Sequence, residues 1–352
     1  MNKIDVVITW VDGSDPQHKA KRQSFQKNAG HSHAEAIRET RFGHCGEIYY
    51  CIASILKYAA FVNRIWIITD NQTPEFLTAF SDAGLCAPDF IQIVDHTEVF
   101  RHYEDLLPTF NSLSIEAVCW RIPGLAEHFI YMNDDFFINQ PLDPEFFFTD
   151  GKPNLRGWMA TPSHRRPKVL MRRFLRKITF RRPNSRPSFR LAQEAGSTLT
   201  GNRDDFLHVG HHPHPMRKSV ISEYFKDNPG ILAQQIAYRF RDAKQYLPVS
   251  LANHLEIMRH ATPVLPIEQE AYFQHSSKRS RAGVLEKIRN GVHPYGCLQS
   301  LDETPADVLL NLRTLMSEKF GPFLPADIDF RDPDCEPPVQ HLAAPAEHPI
   351  SS

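Results

Sequence analysis

The apolar residues of the chain fall into short β-rich runs separated by stretches of helical period. Ile4-Asp5-Val6-Val7-Ile8-Thr9-Trp10, Arg64-Ile65-Trp66-Ile67-Ile68-Thr69, Phe90-Ile91-Gln92-Ile93-Val94 and His128-Phe129-Ile130-Tyr131-Met132 are rich in branched and aromatic side chains and bounded by turn residues, the pattern of buried strands. Over His44 to Ala60, apolar Ile48, Cys51, Ile52, Ile55, Leu56 and Ala59 recur at i, i+3, i+4, i+7, which predicts a helix. Asn111 or Ser112 can cap a second helix whose Ile115, Val118, Cys119 and Ile122 share one face, and Pro123-Gly124 stops it. Residues 17 to 40 are polar and read as a helix and a loop. Strands alternating with helices predict an α/β fold with a mainly parallel sheet over residues 1–150.

Residues 151–330 have another texture. Helices are expected around Ile221 to Phe225, across Ile236-Ala237-Tyr238-Arg239-Phe240-Arg241, and along Val308 to Phe320, where Val308, Leu309, Leu312, Leu315 and Met316 share a side. From Arg165 to Arg190 lysines and arginines crowd together with few acids. Such a segment is either a solvated surface or a basic flap over phosphates. The Pro- and Ala-rich residues 333–352 are expected to be disordered.

The 352 residues suffice for one large or two ordinary domains. A net charge of −1 argues against a nucleic-acid partner. The six cysteines lack C-x-x-C spacing and read as buried thiols in a reducing compartment rather than disulfides or zinc ligands. The chain begins with a strand and has no apolar run of the ~20 residues a span needs. A cytoplasmic protein is expected, peripheral at most to the inner face of the membrane.

Candidate chemistry gathers at strand ends. Asn133-Asp134-Asp135 closes the fourth run, and in an open α/β sheet that edge is where ligands bind. Two adjacent carboxylates repel each other and need a cation, for which Mg²⁺ (or Mn²⁺) is the natural choice because it shares its shell with water and phosphates. Asp12 and Gly13, in the turn after the first strand, suit a nucleotide end. Trp10 either stacks on a base or fills the core, and Asp5, an acid within a strand, is either a structural anchor or a nucleotide ligand. Gln72 follows the second strand and is assigned to the same pocket. His211-His212-Pro213-His214 offers imidazoles fit for general-base work near neutrality, and no nearby Cys completes a zinc set.

In order along the chain, these pieces resemble the Stealth family of hexose-1-phosphate transferases. The resemblance covers most of residues 3 to 330. It rests on Ile4 to Asp15, then on a block from Arg41-Phe42 through Glu47-Ile48, Ile67 to Gln72, Leu107 to Ser112 and Arg121 to Leu125 up to Asn133-Asp134-Asp135. His211 to His214 with Arg239-Phe240-Arg241 forms a third block. A fourth runs from Gly296-Cys297-Leu298 to Leu324-Pro325 and departs from the family's Asn-Asp with Gln299-Ser300-Leu301-Asp302.

The resemblance implies a GT-A-like, Rossmann-type core with a helical, basic second half. It implies a UDP-hexose or UDP-N-acetylhexosamine donor and an oligosaccharide or polysaccharide acceptor in surface polysaccharide assembly. Sugar and proximal phosphate would move together, releasing UMP; the alternative is a conventional metal-dependent glycosyltransferase releasing UDP. Asp134 and Asp135 would hold the metal, with Asn133 a secondary contact. Position in the matched blocks singles out Arg41 and Arg241 as phosphate donors, and His211 and His214, ahead of His212, as the base pair.

Overall fold

A computed structural model describes residues 3–28, 42–167, 171, 187–276, 283–330 and 340–341. Arg41, Cys335, residues 168–170 and 172–186 of the basic stretch, and the tail apart from 340–341 lie outside the described residues. Those two tail residues pair antiparallel with Gln72 and Thr73.

The strands follow the apolar runs closely. β1 (Ile4–Thr9), β2 (Val62–Thr69), β3 (Ile91–Asp95) and β4 (His128–Asn133) are parallel. A short β5 (Phe136–Ile138) follows immediately after the acid pair. The second half contributes helices, as expected, and also β6 (His214–Arg217), β7 (Glu270–Gln274) and β8 (Tyr295–Gln299). The central sheet has the order β6-β4-β1-β2-β3, with β6 antiparallel to β4; a second sheet has the order β7-β8-β5.

Each face of the central sheet carries its own core, which is why its strands are continuously apolar rather than alternating. The helix Glu47–Tyr58 between β1 and β2 packs Ile48, Ile52 and Ile55 over Val6, Ile8, Ile65 and Ile67. The helix Ser112–Glu116 between β3 and β4 lies on the other face, where Leu113, Ala117 and Val118 meet Val7, Ile68 and Phe129. A fully buried isoleucine such as Ile65 or Ile67 contributes about 1.5–3 kcal/mol. Crossovers on opposite faces, with strand order 3-2-1-4, put a topological switch point between β1 and β4.

Two helices are shorter than their apolar period suggests. Ser112–Glu116 gives way to a 3₁₀ turn at Cys119–Arg121, so Ile115, Val118, Cys119 and Ile122 do not share one continuous helix. The helix Pro229–Ile236 ends before Arg239 and Arg241, which lie in irregular chain. That chain is hydrogen-bonded instead to the segment 108–114. Phe110 N donates to Arg239 O at 2.8 Å, Asn111 Nδ2 to Tyr238 O at 2.9 Å, and Ser114 Oγ to Tyr238 O at 3.0 Å. Two stretches far apart in sequence thus form one wall.

Candidate active site

The wall closes one side of a cavity of about 580 Å³ at the carboxyl ends of the strands. Thr9 and Trp10 after β1, Asp70 after β2, His96 after β3 and Asn133 to Asp135 after β4 all line it. His211, His214 and Arg241 enter from the second half. The cavity therefore sits where the connectivity of an open sheet leaves a crevice.

The acid pair stands where one sheet hands over to the other. Asp135 O accepts from Leu298 N of β8 at 2.8 Å, and Cys297 Sγ donates to Asp135 Oδ2 at 3.4 Å. Its other oxygen, Oδ1, is buried without a hydrogen-bond partner. Removal from bulk water, then Asp135 and Glu47, push the Asp134 carboxyl well above the ordinary carboxylate range. Removal from water also raises Asp135, to about 6, against the pull of Cys297. An orphaned carboxylate oxygen beside a second, electrostatically strained acid fits a divalent cation, which would supply the missing charge. Among the described residues no group of three or more His, Cys, Asp and Glu is arranged to hold a metal.

His211 is stacked on Phe189 at 5.2 Å, and its backbone N–H donates to Glu270 Oε2 at 3.1 Å. His214, on β6 opposite Tyr131, is buried. Neither imidazole has a hydrogen-bond partner among the described residues. Burial first, then the positive charge of Arg241, lowers the His211 pKa; burial, His212 and His211 depress His214 further. Both rings are therefore neutral at pH 7, the form that accepts a proton. His212 does not line the cavity; its Nδ1 lies 3.0 Å from Pro213 O and its ring faces Tyr295.

Arg241 donates to Ser112 Oγ and points its charge at His211 and Glu116. Arg239 faces elsewhere, donating to Pro108 O at 2.7 Å. Only one of the two reaches the cavity, through the irregular path of the chain rather than through helical spacing.

The residues assigned to the nucleotide end separate. Asp5 is placed as an anchor: it lies at the start of β1, away from the cavity, and its carboxylate accepts from Asn63 Nδ2 (2.7 Å), Trp66 Nε1 (2.9 Å) and Ala126 N (2.9 Å). Asp12, Gly13 and Gln72 also stand off the cavity and build the turn after β1. Gln72 Nε2 donates to Asp12 O and Asp15 Oδ2, and Gln72 Oε1 accepts from Asp12 N. Asp12 Oδ1 accepts from Ser14 N and Oγ. Gly13 lets Phe42 close over the turn, since a Cβ there would lie 2.2 Å from Phe42 Cβ. Trp10 does line the cavity, yet is buried with Nε1 donating to His44 Nδ1 at 3.2 Å, so the core role holds its indole in place.

Several cavity residues escaped the sequence reading. Glu116 is buried on the wall beside Arg241, its carboxyl pushed up to about 7 by burial against the bond from Val249 N and the Arg241 charge. An acid on the inward side of a helix was the available signal. Asp302, met in the sequence only where the fourth block departs from the family, also lines the cavity, pressed against Gly43, whose added Cβ would lie 2.8 Å from the Asp302 Cγ. Thr109 Oγ1, His18 Nδ1 and His96 Nδ1 are buried at the cavity without partners.

Fold and cavity together define a mainly parallel α/β protein with a charged crevice at the switch point. Two sequence models of the Stealth proteins match the chain, conserved region 1 over residues 2–29 and conserved region 2 over residues 41–155. Over these residues the chain is a Stealth protein. It is 42% identical over 146 residues to a capsular polysaccharide phosphotransferase of Neisseria meningitidis, covering 42% of this chain and 38% of that one. It is 33% identical over 247 residues to an exopolysaccharide phosphotransferase of Streptomyces coelicolor (70% and 42%), and 36% over 154 residues to a capsular polysaccharide phosphotransferase of Streptococcus pneumoniae (44% and 44%). The chain thus spans about two fifths of the length of these relatives. Mouse xyloside xylosyltransferase 1 aligns over 84% of this chain and 97% of its own at 8% identity and a TM-score of 0.34, too slight a likeness to carry the fold. No described helix is long and apolar enough to cross a membrane.

Proposed function

We propose that the chain transfers a sugar-1-phosphate from a UDP-sugar to an acceptor hydroxyl, releasing UMP and leaving a phosphodiester in a surface polysaccharide. One observation carries the reading: the acid pair, two neutral imidazoles and Arg241 line a single cavity. The names of the relatives, polysaccharide phosphotransferases, support the reaction class.

In the proposed reaction the acceptor oxygen attacks the phosphorus next to the sugar. A new P–O bond forms, the bond from that phosphorus to the bridging oxygen breaks, and UMP departs with the bridging oxygen. His211 or His214, uncharged in its pocket, takes the hydroxyl proton. Arg241 offers a permanently charged fork to phosphoryl oxygens as charge builds on them. Asp134 and Asp135 would hold Mg²⁺, with Asn133 beside them, and the ion would neutralise diphosphate oxygens. Arg41, assigned by its motif, joins the proposal as a second phosphate donor.

Incubation of the purified protein with Mg²⁺, acceptor glycan and a panel of UDP-sugars tests this through the nucleotide released. UMP is expected, and Asp135→Ala should abolish its release at any Mg²⁺ concentration. His211→Ala or His214→Ala should lower kcat with donor binding retained. Release of UDP would instead identify a conventional glycosyltransferase, and full turnover by both histidine variants would remove the base assignment.

A further inference from the structure

The cavity has a second end, which the assignments above leave unused. Along the carboxyl edge of the sheet, three inter-strand gaps of ~4.8 Å carry the lining ~14 Å from β4 to β3. That is the reach of an extended nucleoside diphosphate. At the far end stand Asp70, directly after β2, with His18 and His96.

These side chains differ in kind from those at the near end. His18 and His96 are 5% and 4% exposed, each has an orphaned Nδ1, and neither ring has a hydrogen-bond partner among the described residues. Burial is the main cause lowering both pKa values, His18 to about 4, so the rings are uncharged at neutral pH. Lys21 Nζ bridges both oxygens of Asp70 at 2.7 and 2.8 Å. A carboxylate has about four acceptor sites, so the two oxygens retain capacity for hydroxyl donors. Phe42 and Phe110 add apolar faces beside His18. Neutral imidazoles and a carboxylate repel or ignore a phosphate, but they match a sugar diol and the edge of a nucleobase. A carboxylate just past the second strand of a 3-2-1-4 sheet is also where ribose hydroxyls are received in open nucleotide-binding sheets.

Resting on the UDP-sugar reading above, we infer that Asp70, braced by Lys21, binds the ribose hydroxyls of the donor, and that His18 and His96 receive its nucleobase. The nucleoside therefore lies across the ends of β2 and β3, and the turn of Asp12, Gly13 and Gln72 shapes the cavity without touching the ligand.

Calorimetric titration of the full chain with UMP and 2′-deoxy-UMP in Mg²⁺ buffer tests the inference. The parent should bind UMP about 10- to 100-fold more tightly than 2′-deoxy-UMP, as expected for a hydrogen bond to a charged acceptor. Asp70→Asn should lose that ratio, whereas Lys21→Met, which keeps the carboxylate, should retain it. His18→Phe should weaken both nucleotides and leave the ratio unchanged. An unaltered ratio in Asp70→Asn, or equal binding of the two nucleotides by the parent, would overturn the subsite while leaving the transfer reaction standing. Failure of the parent to bind any uridine nucleotide would bring down the donor reading itself.

Discussion

Asp135 shows how a residue's role follows from what its atoms lack. One carboxylate oxygen is met by a thiol and the other by nothing, and burial raises the pKa because the charged form has too few partners. His254 is the contrasting case, a buried imidazole with its partners in place. Its Nε2 accepts from Leu207 N at 3.0 Å, and Nδ1 lies 3.5 Å from Ser197 Oγ. Burial, opposed by Asp205, lowers its pKa from 6.5 to about 4. The unfolded chain binds the proton first, so this stabilisation is complete above pH 6.5 and disappears as pH falls through about 4. At most about 3 kcal/mol is involved. Thermal unfolding between pH 7.5 and 4 should show a loss that His254→Gln reduces, the rest falling to other buried imidazoles such as His18 and His212; parallel curves for parent and variant would assign the acid sensitivity elsewhere.

Among the elements, the parallel strands were legible because burial on both faces leaves continuous apolar runs. The helix between β1 and β2 was legible from its apolar spacing, although burial runs all round it from Glu47 to Ile55. The turn after β1 was legible as a turn, but its internal hydrogen bonding was not. Its Asp, Gly and Gln satisfy one another, and periodicity says nothing of hydrogen-bond partners many residues away. The same limit hid the wall of 108–114 and 235–245, which is held by Asn111 and Ser114 rather than by an apolar stripe. Gly13→Ala tests the turn as a unit. The methyl would meet Phe42 Cβ at 2.2 Å and Phe42 O at 2.4 Å, so overpacking should cost about 1–3 kcal/mol and lower Tm by several degrees. An unchanged Tm would show that the loop at Phe42 yields without strain.

At the scale of the molecule, the site could be read from sequence only in outline. Paired aspartates after a buried run pointed to the carboxyl edge of the sheet, where the cavity lies. Delivery of His211, His214 and Arg241 to that edge depends on β6 joining the central sheet beside β4 and on Arg241's irregular chain meeting 108–114. The second half completes the cavity rather than standing apart from it. The acids, imidazoles and guanidinium line one side of the cavity; in the proposed reaction the other side takes the nucleoside and the bond between the two phosphates breaks. A UDP-sugar labelled with ³²P at the phosphorus next to the sugar follows the bond directly. The account predicts that the label appears in the acceptor glycan in an amount equal to the UMP formed, and that Asp135→Asn forms neither. Label retained in UDP while unlabelled sugar reaches the glycan would contradict it.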